Sequence, residues 1–259
     1  MSRLIEKFQK ARRAAATPMG FRTTQPVELP PKMQLIATIE AGAATDKLGY
    51  LNPTDAVLIR FTESTFTQKS LEKTTSTLGD IPWGLYLDDD EKGAEAGADF
   101  TVFSTASRIT DAPKDSKAGK ILEADASMDD GLLRAANDLP VDAVLVAGEP
   151  EDKGPLSWHQ MMIFQHLANM FSKPLIIIVP ADITEKELKA LWEAGVDGIL
   201  VEGEAGKAQE LKELRQAINK LPARAGRKRG KIEARLPRTV SQETATPPDE
   251  EEEEEEEDE

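Results

Sequence analysis

An arginine and two carboxylates stand near the ends of short apolar runs in this chain of 259 residues. Alternation along the run 56–61 places Arg60 on the same face as Leu58. In the same way, Glu123 and Asp125 share one face at the end of a later run. An arginine can hold a carboxylate or phosphate through two parallel hydrogen bonds, and a nearby carboxylate can act as a general base. These residue types indicate a site for a small acidic molecule.

A simpler interpretation of the same residues is purely structural. If the runs are strands of a closed sheet, their outward face must be apolar to meet helices, so Arg60 and Glu123 point into the interior. A buried arginine has to be paired, because an unpaired buried charge is strongly destabilising. We therefore expect an internal ion pair of Arg60 with Glu123 or Glu202 that only fills the interior.

Other polar residues follow the apolar runs at equivalent places. The catalytic candidates are Asp88, Glu123 and Asp125, and the substrate-binding candidates are Arg60, Glu202 and Gly203. Three carboxylates after successive strands can bind Mg²⁺, but here Ser104 stands between Asp88 and Asp125, so the set is incomplete. We predict no metal site, and no motif identifies a cofactor.

Composition argues against several kinds of chemistry. The chain has no cysteine and two histidines, which excludes thiolate catalysis and sites built from several histidines. No lysine ends a run, which disfavours Schiff-base chemistry. A phosphate loop is half present at Gly203–Lys207 and missing at Pro180–Ile183. His159 and His166 lie two turns apart on a predicted helix, where a capping or packing role is the commoner one.

Eight short apolar runs alternate with amphipathic stretches. The runs are 34–39, 56–61, 83–87, 100–103, 120–124, 143–147, 175–179 and 198–201. The predicted helices are 67–78, 129–139, 157–171, 185–194 and 205–221. Strands joined by helical crossovers pair in parallel, and eight such units favour a small (β/α)8 barrel. An open doubly wound sheet is the alternative, although no G-x-G-x-x-G motif follows the first run.

Three connections, 40–55, 88–99 and 104–119, have no long apolar stripe. We therefore expect shortened helices there and outer strand faces that are poorly covered. A second copy of the chain or another protein could cover them, and so could the amphipathic helix predicted over 1–16. The exposed strands and this helix are the predicted surfaces for a homo-oligomer or a protein partner.

The ends of the chain differ from its middle in composition. We divide it into an N-terminal amphipathic extension (1–32), the barrel (33–222) and a disordered tail (223–259), in which basic residues precede eleven consecutive acids. The acids compete with nucleic acid for the basic segment, so we do not expect nucleic-acid binding. The longest apolar run has seven residues, too few to span a membrane. We expect a soluble, cytoplasmic protein.

Three segments carry a resemblance to known proteins. They are PMGFR (18–22), LLRAANDLPVDAVLV (132–146) and LWEAGVDGILVEG (191–203). The last resembles the passage from the seventh helix to the eighth strand of many TIM barrels. Together the three resemble a bacterial family of TIM-barrel-like proteins, which implies the architecture and brings no catalytic residue.

Two classes of function remain open. In the first, the barrel is a non-catalytic scaffold that binds partners. The sequence favours this interpretation because a complete phosphate loop and a strand-end lysine are missing, histidines are sparse and the outer ring is thin. In the second, it is a lyase or isomerase that acts on a carboxylate-containing small molecule at the carboxyl ends of the strands.

Overall fold

Eight parallel strands close into a barrel, each paired with its neighbours in sequence and β8 paired with β1. The computed structural model describes residues 2–15, 32–40, 45–61, 68–87, 97–108, 117–147, 155–222 and 224. All of them belong to one unit, residues 1–227. The predicted (β/α)8 barrel is confirmed and the open sheet is excluded. The predicted disordered tail lies outside the described residues, apart from Arg224.

Strands and helices follow the predicted order closely. The strands are β1 (Gln34–Glu40), β2 (Ala56–Arg60), β3 (Trp83–Leu87), β4 (Phe100–Ser104), β5 (Gly119–Asp125), β6 (Ala143–Ala147), β7 (Leu175–Ile178) and β8 (Gly198–Glu202). The α-helices are α1 (Arg3–Ala15), α2 (Gln68–Leu78), α3 (Asp130–Asp138), α4 (Trp158–Met170), α5 (Glu185–Ala194) and α6 (Ala208–Lys220). Short 3-10 helices cover Thr45–Leu51 and Ala205–Lys207.

Side-chain caps set the ends of the helices. At the start of α5, Thr184 and Glu187 form the capping box that the sequence indicates, and the helix ends at Gly195, whose φ is 108°. A second capping box, Ser157 with Gln160, begins α4. At the start of α3, the side chain of Asp129 accepts a hydrogen bond from Leu132 N.

The outer faces of the strands are buried within the chain itself. Between β1 and β2, the 3-10 helix packs Leu48 and Leu51 into the layer outside the sheet. The outward residues at the centres of the strands are less than 5% exposed, and they are Leu35, Ala37, Val57, Ile59, Leu85, Leu122, Val144 and Ile177. The prediction that exposed barrel strands offer a partner surface is therefore wrong for the strands described.

Helix α1 closes the amino-terminal end of the barrel. Leu4, Ile5 and Phe8 are at most 3% exposed and join the cluster of side chains that fills the barrel interior. Gly119 and Gly198 permit this contact, because a Cβ at either position would meet α1 side chains at 2.5–3.0 Å. The apolar face of the N-terminal helix is thus an internal plug, and its predicted role as a partner surface is wrong.

An aspartate directly precedes every second strand. In each case its backbone N–H donates to a carbonyl at the start of the preceding strand, at 2.7–2.8 Å. The four are Asp55 before β2, Asp99 before β4, Asp142 before β6 and Asp197 before β8. This repeat divides the barrel into four two-strand units.

Three of these aspartates hold α1 against the barrel. Asp99 accepts hydrogen bonds from Arg3 N (2.8 Å) and Leu4 N (3.1 Å), so it caps the start of the helix. Asp55 lies 3.5 Å from Lys7 Nζ. Asp197, of which 3% is exposed, lies 3.6 Å from Arg12 Nε. Polar contacts at the rim therefore fix the orientation in which the apolar plug enters.

The chain returns to the same rim after α6. Arg224 donates to Asp197 Oδ1 at 2.7 Å, and its guanidinium lies 3.7 Å from the ring centroid of Trp192. Burial lowers the pKa of Arg224, and the adjacent Asp197 opposes that shift. The first basic residue after the barrel is thus bound to it.

Candidate functional site

Side chains inside the barrel change from apolar to polar between its two ends. The middle layer, around Leu58 and Val102, encloses a void of only about 10 Å³. Beneath it, Gly84 gives room to the ring of Phe100, which would lie 2.4 Å from a Cβ at that position. Above it is the upper layer, which we define as Thr38, Arg60, Tyr86 and Glu123. A polar ligand inside the barrel therefore meets its partners at the carboxyl ends of the strands.

Arg60 on β2, Tyr86 on β3 and Glu123 on β5 form a row in which Tyr86 contacts the other two, although β4 lies between β3 and β5. The Arg60 guanidinium carbon lies 4.9 Å from the ring centroid of Tyr86. The hydroxyl of Tyr86 donates a hydrogen bond to Glu123 Oε2. The tyrosine thus lies between the cation and the carboxylate that the sequence placed inside the barrel.

The expected ion pair of Arg60 with Glu123 or Glu202 is wrong. Among the described residues, no Asp or Glu forms an ion pair with Arg60. Its neighbour in register on β1, Glu40, is exposed. The ring of Tyr86 faces the cation in the place where the carboxylate was expected.

Two buried polar atoms of the upper layer have no hydrogen-bond partner among the residues that the structure describes. They are Arg60 Nε and Thr38 Oγ1, and each belongs to a half-buried residue. Buried donors normally find partners, because an unsatisfied polar group is destabilising. The mouth of the barrel therefore presents a cation and a hydroxyl whose bonding capacity the described residues leave unused.

Asp125 ends β5, and its exposed carboxylate accepts hydrogen bonds from the turn that follows the strand. Its Oδ1 accepts hydrogen bonds from Ser127 N at 2.7 Å and Ser127 Oγ at 2.8 Å. These bonds lower the pKa of the exposed Asp125 carboxyl, so it remains ionised. Asp125 turns the chain toward α3 and does not join the row of Arg60, Tyr86 and Glu123.

Glu202 ends β8 and Gly203 follows it, and β1 lies between β8 and the strand of Arg60. Glu202 is exposed. Gly203 N donates to Thr38 O at 2.7 Å, and a Cβ on Gly203 would lie 2.9 Å from that same oxygen. The glycine is therefore needed for close packing on β1. Its carbonyl accepts a hydrogen bond from Tyr50, whose pKa is raised by burial and by nearby Glu204.

The remaining candidates lie elsewhere or are not described. Asp88 is outside the described residues. His166 lies 2.9 Å from Asp130 on the outer helices, and Lys207 lies 3.3 Å from Glu204. In the part of the chain that the structure describes, no three His, Asp or Glu side chains are grouped to hold a metal. Nor is any described helix long and apolar enough to cross a membrane.

Tyr86 and Thr38 are the site residues that sequence reasoning missed. The signal was available, because alternation puts Tyr86 on the same face as Gly84, and Thr38 on the same face as Ile36. Both are uncharged polar residues that lie before the strand ends, Tyr86 one position before the end of β3 and Thr38 two positions before the end of β1.

The closed barrel of eight parallel strands defines the class of the molecule, a (β/α)8 or TIM barrel. No protein-family model and no curated protein matches the chain. A mutant tryptophan synthase alpha-subunit from the hyperthermophile Pyrococcus furiosus is similar in structure, with a TM-score of 0.57 and 12% identity over 73% of this chain and 97% of that chain. Tryptophan synthase from Mycobacterium tuberculosis is similar too, with a TM-score of 0.55 and 12% identity over 84% of this chain and 96% of that chain. At this identity the likeness concerns the fold alone.

Proposed function

We propose that the barrel binds a small carboxylate-containing molecule at its C-terminal mouth and acts on it as a lyase or isomerase. The observation that carries this proposal is the state of Arg60, a half-buried cation without an acidic partner among the described residues. A structural arginine in this position is expected to be ion-paired. A ligand carboxylate would supply the missing partner.

The row of side chains suggests a separate role for each residue in binding and proton transfer. Arg60 binds the acid group through its guanidinium, as a planar donor suited to carboxylates. Glu123, in the same layer, takes a proton from the carbon next to the acid group of the ligand. The Tyr86 hydroxyl keeps the Glu123 carboxylate oriented. The interior below is apolar and closed by α1, which favours binding at the mouth.

The structure weakens the scaffold interpretation that the sequence favoured. Two of its proposed contact surfaces, the outer strands and the apolar face of α1, are buried in the chain. The tryptophan synthase structures that share the fold are enzymes, and this supports an enzymatic interpretation at the level of the fold only.

Ligand binding tests the first half of the proposal. A panel of small mono- and dicarboxylic acids is titrated against the full chain by calorimetry, with Arg60→Gln as the variant. We expect one or more acids to bind, and Arg60→Gln to weaken that binding by about 10- to 100-fold, since it removes charge-assisted hydrogen bonds. Arg134→Gln, on the exposed surface of α3, is the control and should bind as wild type does.

Proton exchange tests the second half. In D₂O, the bound acid should exchange the hydrogen beside its carboxylate, which proton NMR follows directly. Glu123→Gln should abolish the exchange and leave binding within a few-fold of wild type. Binding without any exchange in the wild type would contradict the enzymatic role, and equal binding by Arg60→Gln would contradict the site itself.

A further inference from the structure

The register of the sheet places Ile178 in one ring of inward side chains with Tyr86 and Glu123. In this fold every second strand contributes to such a ring, and because the strands are tilted, a ring climbs by about one residue per strand relative to the register. The register leads from Thr38 across two strands to Gly84, so the residue level with Thr38 lies two positions further on, at Tyr86. The same step continues to Glu123 and Ile178, and a last step returns to Thr38, so the ring closes. We name these four residues the mouth ring.

Ile178 is the one apolar member of the mouth ring, and its side chain is open to solvent. Its exposed fraction is 36%, whereas Ile176, two residues earlier on the same inward face, is 1% exposed. Leu145 and Leu200, just below the ring, are at most 2% exposed. Apolar surface left in water forfeits the free energy that burial would give. An apolar group of a ligand that covers Ile178 would recover it.

The opposite wall of the mouth is polar and carries one positive charge. In a closed barrel of eight strands β3 faces β7, so Tyr86 lies across from Ile178, and the Arg60 guanidinium carbon is 4.9 Å from the Tyr86 ring centroid. Glu202 is level with Arg60 in the next ring up, and Glu123 belongs to the mouth ring. Among the described inward residues of these two rings, Arg60 is the only cation. It can neutralise one acid group of a ligand, while the two glutamates repel a second.

We infer that the ligand of the mouth is a monocarboxylic acid with an apolar chain, and that Ile178 selects it by that chain. This inference rests on the proposed function and narrows it to one class of acid. The acid group binds Arg60 on the polar wall, and the chain lies against Ile178. A second carboxylate on the ligand would lose water against Ile178 or meet the like charge of Glu202.

Calorimetry with the full chain and four acids tests the inference. Propanoate, butanoate and pentanoate differ by one methylene each, and glutarate has as many carbons as pentanoate but a second carboxylate. We expect the dissociation constant to fall by about 2- to 4-fold with each methylene, as burial of part or all of a methylene gives. Glutarate should bind at least about 10-fold more weakly than pentanoate, because one of its carboxylates has no cation to pair with.

Variants of Ile178 show whether this side chain causes the selection. Ile178→Ser should weaken pentanoate binding by about 4- to 16-fold, which is the whole gain along the series, and change propanoate binding by less than about 2-fold. Ile178→Val keeps a β-branched strand residue, so it guards against misfolding, and it should weaken pentanoate binding by about 2- to 4-fold. Leu139→Ser is the matched control, since Leu139 is 48% exposed at the end of α3, outside the mouth, and it should bind all four acids as the wild type does.

The outcomes separate this inference from the proposed function. Suppose that the acids bind and that Arg60→Gln weakens them, but the affinity does not rise along the series, or rises equally in Ile178→Ser. The inference is then overturned and the proposed function stands. Glutarate bound as tightly as pentanoate, or an equal loss in Leu139→Ser, would overturn the inference in the same way. No binding of any acid, or equal binding by Arg60→Gln, would contradict the proposed function and the inference with it.

Discussion

Tyr86 links the two charged groups of the mouth. Its ring faces the Arg60 guanidinium and its hydroxyl donates to Glu123, so one side chain separates a cation from a carboxylate that would otherwise neutralise it. Direct pairing would leave Arg60 unable to receive an acidic ligand. The tyrosine therefore keeps Arg60 available while it orients Glu123.

Replacement of Tyr86 by phenylalanine isolates the role of the hydroxyl. The ring stays over Arg60, but Glu123 loses its donor, and we expect the free energy of unfolding to fall by about 1–3 kcal/mol in urea titrations. Tyr50→Phe is the comparison, since that hydroxyl donates to the carbonyl of Gly203 at 3.1 Å, and we expect a loss of about 1 kcal/mol there. A Tyr86→Phe variant as stable as the wild type would contradict this bond. If the bond exists, adding Glu123→Gln to Tyr86→Phe should not lower the free energy of unfolding any further.

At this scale the sequence predicts part of the site. Alternation correctly places Arg60 and Glu123 inside the barrel, because a period of two leaves little choice once the outer face is apolar. It could not tell that Tyr86 lies between them. Partner choice depends on the stagger of three strands around the barrel, and one strand's pattern does not contain that information.

The aspartates before the even strands organise the barrel at the scale of elements. Asp55, Asp142 and Asp197 each accept a backbone N–H from the preceding strand, at 2.8–3.1 Å. Asp99 instead accepts the first N–H groups of α1. The aspartate side chain therefore accepts from the sheet backbone in three units and from the α1 backbone in the fourth, and Asp55 and Asp197 also pair with basic side chains of α1.

Asp99→Ala and Asp142→Ala separate these two roles. Loss of the Asp99 cap should destabilise the protein by about 1–2 kcal/mol and speed hydrogen exchange of the amides of α1. Asp142→Ala removes a hydrogen bond to Lys120 N, so it should cost about 0.5–1.5 kcal/mol and leave exchange in α1 unchanged. Equal exchange in the two variants would show that Asp99 does not hold the helix.

Most elements were predictable from the sequence, because their ends carry local chemistry. Helix α5 begins and ends where Thr184 and Gly195 indicate, and all eight strands are predicted to within two residues. The place of α1 was not predictable. Its apolar stripe shows that one side is buried, but only the shape of the assembled barrel shows that the side enters the amino-terminal end.

On the scale of the whole molecule, the barrel has two unlike ends. Apolar side chains of α1 fill one end, while polar side chains with unused bonding capacity lie at the other. The conserved feature of the fold class is that function lies at the carboxyl ends of the strands. In this chain the polar side chains inside the barrel also lie at the carboxyl ends of the strands.

Acid should destabilise the whole molecule by protonating carboxylates that accept hydrogen bonds near the beginnings of helices. Hydrogen bonds from Thr184 and Leu156 hold the pKa of Glu187 below its usual 4.5, and bonds from Ser127 do the same for Asp125. A lowered pKa in the folded state adds stability that is present above the unfolded pKa and is lost as pH falls through the folded one. The urea midpoint should therefore drop below about pH 4.5. Glu187→Gln should show a smaller drop, and parallel curves would contradict this.

A crystal structure of the full chain, grown with the acid that binds tightest in the panel, tests the central claim most directly. We predict the ligand carboxylate within hydrogen-bonding distance of the Arg60 guanidinium, above the row formed with Tyr86 and Glu123. Arg60 turned into an ion pair with Glu40, Glu123 or Glu202, with the acid bound elsewhere, would contradict it.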